Sequence, residues 1–150
     1  MLSFVGTLPG YEAWTGTVSL TPGVNDGAEE NPDFDPYSNV LEYQLGGDPL
    51  AFDGDLVATS GDATHLIFTF ERFNASETDS TLTFQWGTGL AIWNDVVVDF
   101  DGGTDGNGVE VIVEEGLGAS GPEYDAVTVR LPKSLELSGR LFGRLQGTRP

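Results

Sequence analysis

The sequence has 150 residues, the usual size of one domain, and its 24 acidic and 6 basic side chains give a formal net charge of −18. So acidic a chain excludes a general nucleic-acid binder and argues against docking on anionic lipid, because both need a basic surface. The absence of cysteine excludes disulfides and cysteine-ligated zinc. No apolar run reaches the ~18–20 residues that span a bilayer, so we expect no membrane insertion.

The charges are unevenly distributed along the chain. Residues 1–71 contain 12 acidic side chains and no Lys or Arg, whereas five of the six basic residues lie in the last 21 positions. An acidic segment without counter-charges repels itself, so a bound cation would stabilise it. The first five residues lack the basic start and apolar stretch of a signal peptide. An exported form would therefore be a piece cut from a longer precursor.

Two short helices are predicted near the start of the chain. The first covers residues 11–20 and carries Tyr11 and Trp14 on one face, since they are three positions apart. The second covers residues 38–45 and ends at a pair of glycines. Leu41 and Leu45 of this helix are four positions apart and form an apolar stripe that must be buried.

From about residue 56 the apolar pattern changes to a period of two, which is typical of half-buried strands. The alternating segments are separated by turn-forming clusters and occupy residues 66–71, 82–86, 109–114, 127–131 and 141–145. We therefore predict a mainly β fold, an antiparallel β-sandwich of immunoglobulin or fibronectin type over residues 53–150. Residues 1–52 are predicted to form a small helical cap with a calcium loop, and the two parts to fold as one cooperative unit.

The clearest chemical signal lies between Asn31 and Glu42. Counting Asn31 as position 1 places oxygen-bearing side chains at positions 1, 3, 5, 9 and 12 of a twelve-residue loop of the EF-hand or dockerin kind. Ca²⁺ takes six to eight oxygen ligands, and alternate residues of a tight loop can converge on one ion. The candidate ligands are Asn31, Asp33, Asp35, the backbone carbonyl of Tyr37, and Glu42.

Two positions depart from the ideal calcium loop. Asn31 replaces an aspartate and removes one charge, and Pro36 occupies the position where glycine supplies a positive φ that proline cannot adopt. The alternative interpretation is an acidic turn in which Asp33 and Asp35 favour the start of the second helix.

The calcium-loop region resembles a known module. Residues 20–27, the acidic loop and residues 38–50 are similar to the C-terminal region of many large secreted proteins of Verrucomicrobia and Planctomycetes. In that region a dockerin-like or thrombospondin-type-3-like loop precedes a β-rich tail, and the likeness continues in residues 82–96 and 140–145. The resemblance implies an exported, non-catalytic, C-terminal accessory module that binds Ca²⁺ through the same five residues. It also implies upstream domains and a bacterial secreted or cell-surface location.

Two weaker candidate sites lie in the β-rich part. Asp99, Asp101 and Asp105 stand among glycines and could form a second metal loop, although such clusters between strands are more often plain turns. Trp93 and Tyr124 could stack on sugars if they are exposed, although packing in a core or turn is the commoner role of such rings.

The sequence gives no support for an enzyme. Its single histidine, His65, makes a catalytic triad or histidine-rich metal site improbable and is predicted to start a strand. Glu110 and Glu114 share one face of a strand, but their alternation with valines favours a solvated outer face over a glycosidase pair. We therefore predict no catalytic activity.

Three functions remain open at this stage. The leading hypothesis is a calcium-stabilised extracellular module that serves attachment, sorting or spacing of a larger secreted protein. The second is a carbohydrate-binding module that targets an attached enzyme to polysaccharide, and the third is a self-assembling surface or filament subunit. An exposed aromatic platform would favour the second, and an unpaired long strand edge would favour the third.

Overall fold

The computed structural model describes residues 10–149, so the first nine residues of the predicted cap lie outside it. The described chain forms two short helices, followed by eight strands and two short 3₁₀ turns, Asn74–Thr78 and Lys133–Leu135. The helices are α1 (Gly10–Thr17) and α2 (Asn39–Leu45). The strands are β1 (Ala58–Gly61), β2 (His65–Phe73), β3 (Thr81–Gly87), β4 (Asn94–Val97), β5 (Gly103–Thr104), β6 (Glu110–Glu114), β7 (Tyr124–Pro132) and β8 (Phe142–Thr148).

The strands form two antiparallel sheets. The larger sheet has the order β1-β2-β7-β6-β5, and the smaller one has the order β4-β3-β8. The longest pairing joins β2 to β7, from His65 opposite Pro132 to Phe73 opposite Tyr124. Burial alternates strictly along β7, as the period-two pattern of its sequence predicts. The prediction of a mainly β fold is confirmed, and His65 begins a strand as expected.

One apolar core lies between the two sheets. It contains Phe68 from β2 and Phe84 from β3, whose ring centroids are 5.0 Å apart. Leu41 and Leu45 of α2 belong to the same core, so this helix fills space between the sheets rather than standing outside them. Two sheets that share one core fit the predicted sandwich, and its immunoglobulin or fibronectin type stays a prediction.

The first helix packs elsewhere. Tyr11 is buried in a second, smaller cluster with Tyr43, and their rings meet edge to face with centroids 5.4 Å apart. Trp14 is half-buried against the same two rings. Tyr43 of α2 lies between these two rings and Phe73 at the end of β2, so Tyr43 rather than the core between the sheets is their packing partner.

Candidate metal centre

Helix α2 positions the centre of the candidate site. All seven of its residues are buried, and it ends at Gly46, whose φ of 80° suits glycine best. Asn39, in the first turn, donates from Nδ2 to the carbonyls of Asn25 and Gly27 at 2.8 and 2.9 Å. These bonds fix the preceding loop against the helix, so the acidic segment between them is held on both sides.

Four carboxylates converge beside α2. Asp33, Asp35, Glu42 and Asp53 each offer one oxygen, and these oxygens all lie within 4.8 Å of one another. Asp35 and Glu42 are buried, Glu42 completely, while Asp33 and Asp53 are half-buried. The cluster could therefore hold a metal ion, because unlike a surface patch it sets several oxygen ligands around one point.

Hydrogen bonds organise only part of this cluster. Asp35 accepts from the backbone N–H groups of Tyr37 and Asp53 at 2.8 and 3.1 Å, which ties the loop to the segment after α2. Within the described residues, both oxygens of Glu42 and Oδ2 of Asp33 have no hydrogen-bond partner. Buried carboxylate oxygens normally have partners, and a bound cation would provide one for these three oxygens.

The electrostatics of the cluster favour binding of a cation. Burial raises the pKa of Glu42 to about 10, and the nearby carboxylates of Asp53 and Asp35 add to the effect. Burial also raises the pKa of Asp33. Without a cation Glu42 therefore keeps its proton at neutral pH, and a bound cation would replace that proton.

The structure brings three of the five predicted ligands, Asp33, Asp35 and Glu42, into one cluster. Asn31 donates from Nδ2 to the carbonyl of Asp35 at 2.5 Å, and its buried Oδ1 has no partner among the described residues. The hydroxyl of Tyr37 accepts from the N–H of Leu56 at 3.0 Å, so its side chain helps to fix the segment after the loop. The Tyr37 carbonyl as a ligand stays a prediction.

Asp53 is the member of the cluster that the sequence pattern did not reveal. It stands eleven positions after Glu42, outside the twelve-residue loop, and on sequence alone it was one acidic residue among many. Its side chain also accepts from the N–H of Asp48 at 2.8 Å. The tight turn of residues 48–53 therefore returns the chain to the cluster, and no spacing rule for calcium loops predicts that return.

The sharp turn of the loop is displaced from its expected position. Phe34, not residue 36, has a positive φ, 61°, and its side chain is 87% exposed. The N–H of Phe34 donates to the carbonyl of Asn31 at 3.2 Å and closes this turn. Pro36 therefore does not block the loop, because the left-handed residue that an EF-hand has at position 6 lies here at position 4.

The second predicted metal group is not assembled. Within residues 10–149, Asp99, Asp101 and Asp105 do not form a cluster of converging ligand atoms. Asp105 instead accepts from the N–H groups of Asn107 and Val109 at 2.8 and 3.0 Å, as an aspartate in a plain turn does. The structure thus gives the second metal site no support.

Both candidate sugar-stacking rings have protein partners. The guanidinium of Arg144 lies 3.8 Å from the centroid of the Trp93 ring. Tyr124 packs against Phe73 with ring centroids 5.6 Å apart, and its ring also closes on Gly46. Each ring is only half-exposed, so the two do not form an open platform.

The comparisons with known proteins identify no relative. No protein-family model, characterised protein or solved structure matches this chain. Among the residues the structure describes, no helix is both long and apolar enough to cross a membrane. Inference about function therefore depends on the site itself.

Proposed function

We propose that this chain is a non-catalytic, calcium-stabilised extracellular module that belongs to a larger secreted or cell-surface protein. The observation that carries the proposal is Glu42, a completely buried carboxylate that has no hydrogen-bond partner among residues 10–149 and faces three other carboxylates. Removing such a charge from water is unfavourable unless a counter-ion is present. A structural cation resolves this conflict.

The ligand chemistry favours calcium over the other common ions. The carboxylates and the free Oδ1 of Asn31 are all hard oxygen donors, and the cluster contains no sulfur or imidazole. Ca²⁺ accepts six to eight oxygens in irregular geometry, whereas Mg²⁺ demands a small octahedron and keeps its water. The ligands come from three places, the loop, α2 and the turn of residues 48–53, which suits the more adaptable ion.

The accessory role rests on the resemblance of residues 20–50 and on the position of the centre. The metal would join the loop, α2 and the entry to β1, and α2 contributes Leu41 and Leu45 to the core. The ion would thus stabilise the fold rather than act on a substrate. Attachment, sorting or spacing of upstream domains fits this role, and we infer an immunoglobulin or fibronectin type for the sandwich.

The test is a thermal melt in Ca²⁺, in Mg²⁺ and in EDTA. An ion that binds only the folded state at a hundredfold excess over Kd adds about 2.7 kcal/mol to the free energy of unfolding. Glu42→Gln should remove the Ca²⁺ effect, because it removes a carboxylate ligand, and should stabilise the metal-free protein, because an amide can be buried without taking up a proton. Glu29→Gln, at an exposed position, is the matched control. Identical wild-type curves in Ca²⁺ and EDTA would contradict the metal proposal.

The wider context needs a separate experiment. An antibody raised against this domain should detect a polypeptide longer than 150 residues in the culture medium or on the surface of the producing cells. Detection confined to the cytoplasm would overturn the proposed location while leaving the calcium proposal intact.

A further inference from the structure

A second feature of the molecule is a cleft of about 470 Å³ at one end of the two sheets. None of its lining residues belongs to the carboxylate cluster. One wall is apolar and includes Leu82, Val97 and Phe100, and the last two are about half-exposed. The other walls are polar and come from the end of β2 and the 3₁₀ turn that follows it. A concave site with apolar and polar walls is the usual form of a small-molecule site.

Every N–H group of the buried guanidinium in this cleft already has a partner within the protein. Arg72, 1% exposed, donates from Nε and Nη2 to Asp125 at 3.2 and 3.0 Å, and from Nη1 to the carbonyls of Val98 and Asp99 at 2.9 and 3.1 Å. Its Nη2 also lies 2.9 Å from the carboxylate of Glu77. These contacts use all five N–H groups of the guanidinium, so Arg72 offers nothing to an anionic ligand.

Several other polar side chains of the wall also use hydrogen-bond donors within the protein. The hydroxyls of Ser76, Thr78 and Ser80 each donate to a main-chain carbonyl three or four residues earlier, at 2.7, 2.9 and 2.6 Å. Asn74 donates one of its two amide N–H groups to the carbonyl of Pro122 at 3.1 Å. The three hydroxyls retain only lone pairs, so this part of the wall presents mainly hydrogen-bond acceptors.

The charges around the cleft are also one-sided. Arg72 is the one positive side chain in this network, and it is paired with the carboxylates of Asp125 and Glu77. Asp99, whose carboxylate accepts from the N–H of Phe100 at 2.7 Å, also lines the cleft. Burial raises the pKa of Glu77, and Asp125 and Asp99 add to this, although Arg72 opposes it. An additional positive charge in the cleft would therefore stabilise the ionised form of Glu77.

We propose that this cleft binds a small organic ammonium ion. Its N–H groups would donate to the carboxylates of Glu77 and Asp99, and its apolar part would lie against Leu82 and Phe100. An ammonium ion has three donors and no acceptor, which matches a wall rich in acceptors. The exposed ring of Phe100 adds a surface that attracts cations. The proposal does not depend on metal binding, because the two sites share no residue.

The test is a titration of the ¹⁵N-labelled full chain with cyclohexylammonium, followed by NMR at constant ionic strength and in excess Ca²⁺. The neutral control is cyclohexanol, and the anionic control is cyclohexanecarboxylate. We expect saturable shifts in residues 76–81 and 97–100, with the ammonium ion binding at least about tenfold more tightly than the alcohol, the ratio expected of one charge-assisted contact.

Variants separate the proposed contacts from general attraction to an acidic protein. Asp99→Asn and Glu77→Gln should each weaken cyclohexylammonium binding several-fold, whereas Glu136→Gln, at an exposed position outside the cleft, should not. If Glu77→Gln disturbs the packing of Arg72, the Asp99→Asn variant still tests the proposal. Equal affinity for the ammonium ion and the alcohol, or equal loss in all three variants, would overturn the proposal. Repeating the titration in EDTA shows whether ammonium binding depends on Ca²⁺, so the failure of one proposal can be told from the failure of the other.

Discussion

Gly47 lies against the carboxylate of Glu42. A Cβ atom at position 47 would overlap Oε2 of Glu42 and would come within 2.8 Å of Oδ2 of Asp53. The absence of a side chain at this position is therefore what allows the two carboxylates to approach each other beside the end of α2.

Gly47→Ala should lower Ca²⁺ affinity by at least about tenfold, because it displaces two of the four converging carboxylates and outer supports of a metal site commonly cost 10–100-fold. Isothermal titration calorimetry measures the loss. Gly54→Ala is the matched control, since a Cβ atom there meets nothing within 4 Å. Equal affinities in the two variants would show that Glu42 and Asp53 are not ligands together.

The pH dependence of stability should differ between the metal-free and the Ca²⁺-loaded protein. In EDTA the folded state holds the Glu42 proton to a pKa of about 10, whereas the unfolded chain releases it near 4.5. The folded state thus binds more protons between these values, so the free energy of unfolding falls as pH rises, by up to about 1.4 kcal/mol per unit for one group.

In excess Ca²⁺ the ion competes with that proton, so its stabilising effect should grow from pH 5 to pH 8. Thermal melts across this range, with and without EDTA, measure both slopes. Glu42→Gln should flatten the slope in EDTA. A wild-type protein whose metal-free stability rises through the same range would contradict the assignment of Glu42 as the buried titrating group.

The exposed Phe34 should be replaceable with a gain in stability. Its φ of 61° lies in a region that disfavours side chains, and its ring is 87% exposed, so little packing is lost on its removal. Phe34→Gly should raise the free energy of unfolding by up to about 1 kcal/mol. Phe52→Gly, at another exposed phenylalanine without a positive φ, should be neutral or destabilising. Urea denaturation compares the two, and a loss of stability in Phe34→Gly would show that the ring has a role in the fold.

The sequence predicted best the elements in which a regular residue pattern corresponds to a regular backbone structure. The period-two segments became strands because one face of each is buried, as along β7. The oxygen spacing from Asn31 to Glu42 located the candidate metal centre because those ligands lie close together in the chain. Asp53 could not be found in this way, since its approach depends on the turn of residues 48–53 and its bond to Asp35.

The placement of the aromatic side chains was harder to predict. The spacing of Tyr11 and Trp14 correctly put them on one face of a helix, but it could not say what that face meets. Tyr43 on α2 is the actual partner, and it was not singled out in the sequence. Contacts between distant residues depend on the packing of whole elements, which local spacing does not encode.

The last prediction concerns the dependence of the sandwich on α2. Leu41 is buried in the core between the sheets, whereas Trp14 is half-buried in the smaller aromatic cluster. Leu41→Ala should therefore lower the free energy of unfolding by about 2–5 kcal/mol, and Trp14→Ala by less than the 3–5 kcal/mol typical of a core ring. Because α2 carries Glu42 as well as Leu41, Leu41→Ala should also weaken Ca²⁺ binding, since core packing and metal binding would be linked.

The fragment of residues 53–150 tests the same link without substitutions. It lacks the two leucines of α2 that belong to the core, so we expect a lower melting temperature and poor dispersion in its NMR spectrum. The full chain should melt in a single transition that Ca²⁺ shifts as a whole. If the fragment is as stable as the full chain and its spectrum overlays that of the parent, then α2 is an appendage, because a core that needed Leu41 and Leu45 could not form without them.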